Sequence, residues 1–318
     1  MGLKHLRSGL EIIRDWSQES RGTGFQENPP TEHIDETVLR LFTRLQTHVA
    51  AHGYPNTDFH SASTTHPSFN HAFARSRYLS ISEARCLLDE ILLKAFRLVR
   101  HKQDAERSVA NFNSSSPEFA ELLRSRDSLL VELTQWKVLS TTSLSTWPND
   151  EKGNCGTLLL GLYHLMTDII LKTVLAESER AYDGHVSDFS KLVSMSQRIL
   201  RSKASSTPFT TTTLDAGVIP VLFFTCLKCR DGSIRNQALA LLRLAPEREG
   251  IWHRDSIIAA SALKMALECN TDARVYRERV FDTSSPGQTA RVSLLNEATK
   301  ENMVVKIPGL VSKLGGLI

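Results

Sequence analysis

Cys226 and Cys229, in the segment FFTCLKCRD, come nearest of all residues in this chain to a spacing that does chemistry. Thiols three positions apart share a helical face, as in redox pairs, and they supply half of the ligands that a tetrahedral zinc site needs. The other cysteines, Cys86, Cys155 and Cys269, are distant in sequence. A thioredoxin-like site also needs a strand leading into the motif within an alpha/beta fold, and the segment offers neither. Three readings stay open at this point: ordinary packing of two small apolar thiols, redox chemistry and metal binding. Packing is the favoured one.

His164 and Asp168 stand four positions apart, so one helical face can bring them together. Two ligands do not make a metal centre, and no HExxH arrangement accompanies them. A histidine held within a helical core is the simpler reading, with burial free to shift its titration. His60, His66 and His71 gather in a polar stretch where ordering a loop around a ligand is costly. The sequence has no GxSxG nucleophile turn, no GxxxxGK[ST] phosphate loop and no Rossmann glycine fingerprint. The expectation is a protein that is not an enzyme, with no catalytic, metal or cofactor-binding residue assigned and no cofactor.

The elements that would position these residues are helical. Leu3, Leu6, Leu10, Ile13 and Trp16 recur at intervals of three or four, as do Val38, Leu41, Leu45 and Val49. Gly53, Tyr54 and Pro55 stop the second of these helices, and residues 55–80 read as a polar loop. A helix resumes at Ser82 as a cap, with Arg85 on its exposed side and Leu88, Ile91, Leu92, Ala95, Phe96 and Val99 on its buried side. Further helices are predicted from Phe119 to about Leu139, at about 157–177 and at 186–201. After the polar stretch at 202–213, Pro220 suits the first turn of a helix running to Cys229, and Asp231 can cap the next one. A later helix carries Ile257, Ile258, Ala262 and Met265. VVKI at 304–307 and TLLLGLY at 157–163 pass as strands only in isolation. The predicted fold is all-α, a multi-helix array of packed helix pairs, in one domain over 1–318 with a subdivision near 202–213 as the alternative.

Bulk properties narrow the function classes. With 318 residues, 41% of them apolar, the chain can bury a sizeable core. The balance of 38 Lys and Arg against 35 Asp and Glu is too even to argue for a phosphate-binding surface. Five scattered cysteines suit free thiols in a reducing compartment. The opening MGLKHLRSGLEIIRDW lacks the apolar stretch of a signal peptide, and Leu6 spoils an acylation signal. The most apolar run, 158–175, is interrupted by His164, Asp168 and Lys172 and reads as a core helix, not as a membrane span. Between 228 and 254, Lys228, Arg230, Arg235, Arg243, Arg248 and Arg254 stand against Asp231, Glu247 and Glu249. That local excess either meets an acidic partner or nucleic acid, or solvates helices while pairing with nearby acids. The second reading is preferred.

The run LDAGVIPVLFFTCLKCRDGSIRNQALALLRLAPEREGIW, residues 214–252, resembles the C-terminal regulatory region of fungal Zn2Cys6 transcription factors. That region commonly has an aspartate before a Gly-Ile/Val-Ile-Pro element, an apolar helix ending in KCRD, a helix ending in LLR, and a Pro-Arg-Arg-Glu-Gly-Leu/Ile-Trp element. Asp215, Gly217, Pro220, Cys229, Arg230, Asp231, Arg243, Arg248, Glu249, Gly250 and Trp252 stand at the corresponding places. HLRSGLEIIRDW at 5–16, LFTRLQTH at 41–48, SISEAR at 80–85 and the 158–175 run are similar more faintly. One departure matters: the family's zinc cluster needs six closely grouped cysteines, and no such group occurs among the 318 residues. The resemblance implies a nuclear regulator of metabolic or secondary-metabolite genes. Its expected partners are a transcription factor or another nuclear protein, with a small-molecule effector and an oligomer both compatible. Direct DNA binding and membrane attachment are not expected. A small-molecule biosynthetic enzyme and a non-transcriptional adaptor are the alternative classes.

Overall fold

Stripes of apolar residues at helical spacing have to be removed from water, and the chain does this by packing helix on helix. The structure is a computed structural model that describes residues 8–13, 15, 36–51, 78, 80–108, 112–147, 151–206, 212–213, 217–269, 276–282, 290–296, 299 and 302–307. Residues 8–13 are helical. The helices that follow are α1 (Glu36–Ala51), α2 (Ile81–Ser108), α3 (Pro117–Ser143), α4 (Glu151–Thr173), α5 (Val186–Ser206), α6 (Ile219–Lys228), α7 (Gly232–Leu244) and α8 (Arg254–Cys269). Sequence neighbours pack as pairs, α2 on α3, α4 on α5 and α6 on α7, and α4 also lies against α2. The protein is a predominantly helical, multi-helix array.

Local capping explains several boundaries. Ser116 precedes Pro117 and its hydroxyl accepts a hydrogen bond from the Phe119 amide at 3.2 Å, while Asp231 accepts from the Ile234 amide at 2.8 Å. The cap of α2 is Ser80, which accepts from the Glu83 amide at 3.1 Å, and not Ser82, which lies inside the helix. α4 starts at Glu151 and carries Gly153 and Gly156 within it, so those glycines do not extend the break before it. α5 continues to Ser206, into the stretch read as a separator.

One core runs through the array, with Leu88, Ile91, Trp136, Leu162, Ile169, Phe189, Leu192, Leu222, Leu242 and Ile257 all buried. By length and composition, Asn154–Thr173 is long and apolar enough to cross a membrane. Leu160, Leu162, Tyr163, Met166, Ile169, Ile170 and Leu171 of that helix are buried against its neighbours here. On α1 two members of the expected stripe, Val38 and Leu41, are exposed, Leu45 is half-buried and Thr47 is buried, while the side chain of Val49 lies outside the description. Ala262 on α8 is likewise exposed, its place in the core taken by Ala260, Ser261 and Lys264.

Two small sheets accompany the helices. Short strands β1 (Thr212–Thr213), β2 (Arg248–Glu249) and β3 (Trp252–His253) form one, with β1 parallel and β3 antiparallel to the middle strand. Beyond α8, β4 (Tyr276–Asp282), β5 (Ala290–Asn296) and β6 (Asn302–Ile307) form an antiparallel meander in chain order. VVKI therefore lies in a strand, while TLLLGLY is helical.

Candidate functional site

α6, with the sequence IPVLFFTCLK, is apolar nearly all round, so it must be enclosed rather than laid on a surface. Ile219, Pro220, Val221, Leu222, Phe223, Thr225 and Cys226 are buried, and α4, α5, α7 and α8 surround the helix. Enclosure creates a problem at each end, because the first amides and last carbonyls of a helix have no partner inside it. Pro220 removes one donor from the first turn. The amides of Gly217, Val218 and Ile219 donate to the carboxylate of Glu249, at 2.9, 3.2 and 2.8 Å respectively. Glu249 has 0% exposure, and its carboxyl group sits in the core at the positive end of the helix dipole, where the three amide donors and the dipole favour the carboxylate form against the cost of burial.

The residues around Glu249 hold it there. Gly250 turns the chain between β2 and β3 with a φ of 58°, a conformation that favours glycine. Trp252 then meets Phe223 of α6 edge-on, with ring centroids 6.0 Å apart. A Cβ on Gly217 would run into the Glu249 carboxylate, so only glycine lets the backbone approach this closely. The Gly217 carbonyl accepts from the Tyr163 hydroxyl at 3.0 Å, which ties this end of α6 to α4. The Tyr163 ring in turn lies under the Arg85 guanidinium at 4.2 Å.

The opposite end of α6 is closed by cations. Lys264 donates to the Leu227 carbonyl at 2.6 Å and Arg235 reaches the same oxygen at 3.4 Å. Glu268 neutralises part of this charge, 2.5 Å from Arg235 and 3.7 Å from Lys264. α6 therefore has an anion at its N-terminus and cations at its C-terminus, the arrangement that complements a helix dipole. Asp231, one residue past the turn at Cys229 and Arg230, caps α7.

Of the expected site residues, Gly217, Pro220, Cys229, Asp231, Glu249, Gly250 and Trp252 meet around α6 and the start of α7. Asp215 lies outside the described residues, as do His60, His66 and His71. Arg230 pairs with Asp183 at 2.9 Å, and Arg243 is exposed in the last turn of α7. Arg248, in β2, is half-buried, and its Nε has no hydrogen-bond partner. The positive excess between 228 and 254 is largely spent within the fold. Lys228 pairs with Glu179 at 2.8 Å, Arg235 with Glu268, and Arg254 with Asp255 at 2.9 Å.

The cysteine pair is packing material. Both thiols are buried, and the Cys226 thiol donates weakly to the Arg235 carbonyl at 3.9 Å. Burial pushes Cys226 up to about 12 and raises Cys229 as well. The thiolate is the form that attacks disulfides and binds metal, so both groups are held in their unreactive state at neutral pH. His164 and Asp168 each also take another partner. The Asp168 carboxylate takes Lys172 at 2.7 Å, and the His164 ring stacks on Trp136 with centroids 5.4 Å apart. The Trp136 indole donates to the Ala84 carbonyl at 2.7 Å.

Arg85, read as exposed, is buried. Its Nε lies 2.7 Å from Asp89, which Arg44 of α1 approaches at 3.4 Å. Sequence reasoning also missed Tyr163, Lys264 and Glu268. A signal for the last two existed: Lys264 stands seven positions after Ile257 on the buried face of α8, with Glu268 one turn further on.

Two half-buried titrating groups of this packing give a testable pH response. Burial, with Lys137 and Lys172 nearby and only Asp168 opposing, brings His164 down to about 4 from 6.5. Burial, with Glu132 and Asp89 nearby and Lys94 opposing, takes Glu90 up to about 7 from 4.5. Unfolded His164 binds a proton that the fold refuses, so its contribution to stability is lost as pH falls from 6.5 towards 4. Folded Glu90 keeps a proton that the unfolded chain releases, so its contribution is lost as pH rises from 4.5 towards 7. Each slope is up to about 1.4 kcal/mol per pH unit, and across the shared window the two oppose each other. Urea unfolding at a series of pH values should therefore show stability rising with pH in Glu90→Gln and falling with pH in His164→Phe. Variants that both follow the wild-type profile would refute the assignment.

Compared with protein-family models, with curated proteins and with solved structures, the chain shows no match to any of them.

Proposed function

We propose that this chain is a transcription-regulator-like helical protein, nuclear and without a catalytic step of its own. It acts through protein association or through ligand-dependent helix packing, on metabolic or secondary-metabolite genes. In this reading the 318 residues do not read DNA themselves, and a partner, a transcription factor or another nuclear protein, supplies that contact.

The observation that carries the reading is the run at 214–252, whose matching residues serve one mechanical unit. Gly217, Pro220, Glu249, Gly250 and Trp252 seat and cap α6, and Asp231 starts α7. A sequence pattern resembling that of a regulatory region is here a pattern of packing. Such a unit suits a protein whose output is the arrangement of its helices. The spent charge between 228 and 254 supports partner-mediated rather than direct contact with nucleic acid.

The test is recovery of the tagged full chain from nuclear and cytoplasmic fractions, with partners and chromatin association measured in the same cells. The expected result is nuclear enrichment, chromatin recovery that disappears when the partner is removed, and changed target transcripts on deletion. A cytoplasmic protein whose deletion leaves transcripts unchanged would overturn the reading. So would high-specificity DNA binding by the isolated chain.

A further inference from the structure

The fold does not use all of the positive charge between residues 228 and 254. Lys228, Arg230, Arg235 and Arg254 have acidic partners, whereas Arg243 and Arg248 have no ion pair among the described residues. Both belong to one short stretch, Arg243-Leu-Ala-Pro-Glu-Arg248, where the chain leaves α7 and enters β2. Five residue steps span at most about 18 Å, so one short peptide can reach both cations.

The same stretch carries an apolar residue that the core does not take. Leu244, the last residue of α7, is 62% exposed, while Leu241, Leu242 and Ala245 around it are buried. Gln237, Ala240 and Arg243 are exposed on the same side of the helix, and α7 contains no acidic residue. Its outer side is therefore uncharged until it ends in a cation and a leucine.

Strand pairing puts the second cation on the outside of the fold. In the β2–β3 hairpin the opposed residues Glu249 and Trp252 are both buried, so the other opposed pair, Arg248 and His253, shares the outer face. Both are half-buried, and the Arg248 Nε and His253 Nδ1 have no hydrogen-bond partner. The side chain of Glu247 reaches His253 at 3.9 Å. Two cations with an exposed carboxylate between them in sequence are too few for a phosphate backbone, and phosphates make no use of Leu244. Carboxylates spaced along a peptide suit two separate guanidiniums, and a neighbouring apolar side chain suits the leucine.

We propose that Arg243, Leu244 and Arg248 form a docking surface for an acidic segment of a partner protein, a segment with one apolar anchor that covers Leu244. The inference deepens the reading of partner association and rests on it for the nature of the partner. The competing roles need no partner: Arg243 complements the C-terminal end of the α7 dipole, and Arg248 solvates the hairpin.

The full chain is titrated against a fluorescein-labelled peptide of aspartates around a single leucine, read by fluorescence anisotropy. Companion peptides replace the aspartates by serine or the leucine by alanine, and a labelled DNA duplex serves as the polyanion. The acidic leucine peptide should bind with a Kd below about 1 mM, both altered peptides about fivefold or more weaker, and the duplex no tighter than they do. Arg243→Ala/Arg248→Ala should weaken binding about tenfold, the scale of two exposed charge pairs, and Leu244→Ser about fivefold. Arg124→Ala, which removes an exposed cation of α3, should leave binding unchanged. No binding in this range, equal binding of the alanine peptide, a double variant that binds as wild type does, or a duplex that binds more tightly than the acidic peptide would each overturn the proposal. The peptide series needs no variant, so a poorly folded variant does not spare the proposal. Peptide binding by a chain that is cytoplasmic in cells would sink the regulatory reading alone, and a nuclear chain that ignores the peptide would sink this surface alone.

Discussion

Glu249→Ala is expected to lower the free energy of unfolding by about 3–5 kcal/mol, a large share of what a domain of ordinary stability possesses. The substitution leaves the amides of Gly217, Val218 and Ile219 without the carboxylate they donate to, in a place that is closed to water. A buried donor left unsatisfied costs about 1–3 kcal/mol, and the three share one acceptor group, so their costs do not simply add. Loss of the negative charge at the positive end of the α6 dipole adds to the effect. Glu249→Gln should fall between wild type and alanine, because its amide keeps one accepting oxygen but turns a donor towards amides that also donate. Gly217→Ala should injure the same contact from the other side, since its Cβ meets the Glu249 carboxylate. Urea unfolding of the single variants and of Gly217→Ala/Glu249→Ala gives the coupling directly. The double variant should cost less than the two losses combined. An alanine variant within about 1 kcal/mol of wild type would show that water or another group already satisfies these amides.

Glu268→Ala should cost about 3–5 kcal/mol at the other end of the same helix. Arg235, Lys264 and Glu268 are all buried or nearly so, with two positive charges sharing one carboxylate. Removing that carboxylate takes a counter-charge away from two buried cations, and weakening a buried ion pair by removing one partner is far more costly than breaking a surface pair. Replacing the whole group by Arg235→Met, Lys264→Leu and Glu268→Leu should recover most of the loss, because no charge is then buried. What is not recovered is the Leu227 carbonyl, which loses the donor that Lys264 supplies at 2.6 Å. Unfolding of the single and triple variants separates these terms. A Glu268→Ala protein as stable as wild type would mean that Arg235 and Lys264 reach solvent and that the end of α6 is not closed by them.

Together the two predictions describe α6 as a helix clamped at both ends by charge. The clamp residues come from β2, α7 and α8, so the segment resembling a regulatory region works as a unit only when its elements are docked. This docking is what a change in helix packing would have to alter. Tyr163 extends the connection, joining the Gly217 carbonyl to the Arg85 and Asp89 pair on α2. Under the proposed regulatory function, a variant that weakens either clamp is expected to reduce partner recovery along with stability. Tyr163→Phe removes the hydroxyl link and leaves both clamps in place, which tests the connection separately.

What was legible in the residues alone is whatever depends on near neighbours. Helical stripes, the tolerance of Pro220 in a first turn and the capping by Asp231 all follow from interactions within about four positions, and the helices appear where those signals stand. The same reasoning misplaced Arg85, Val38 and Leu41, because periodicity reports which residues share a face and not which partner that face meets. Glu249 caps amides 30 to 32 positions away, and Arg235 meets Glu268 across 33 positions. A charged residue enters a core only when another element brings the opposite charge or a helix end to it, and that meeting is a property of the assembled fold.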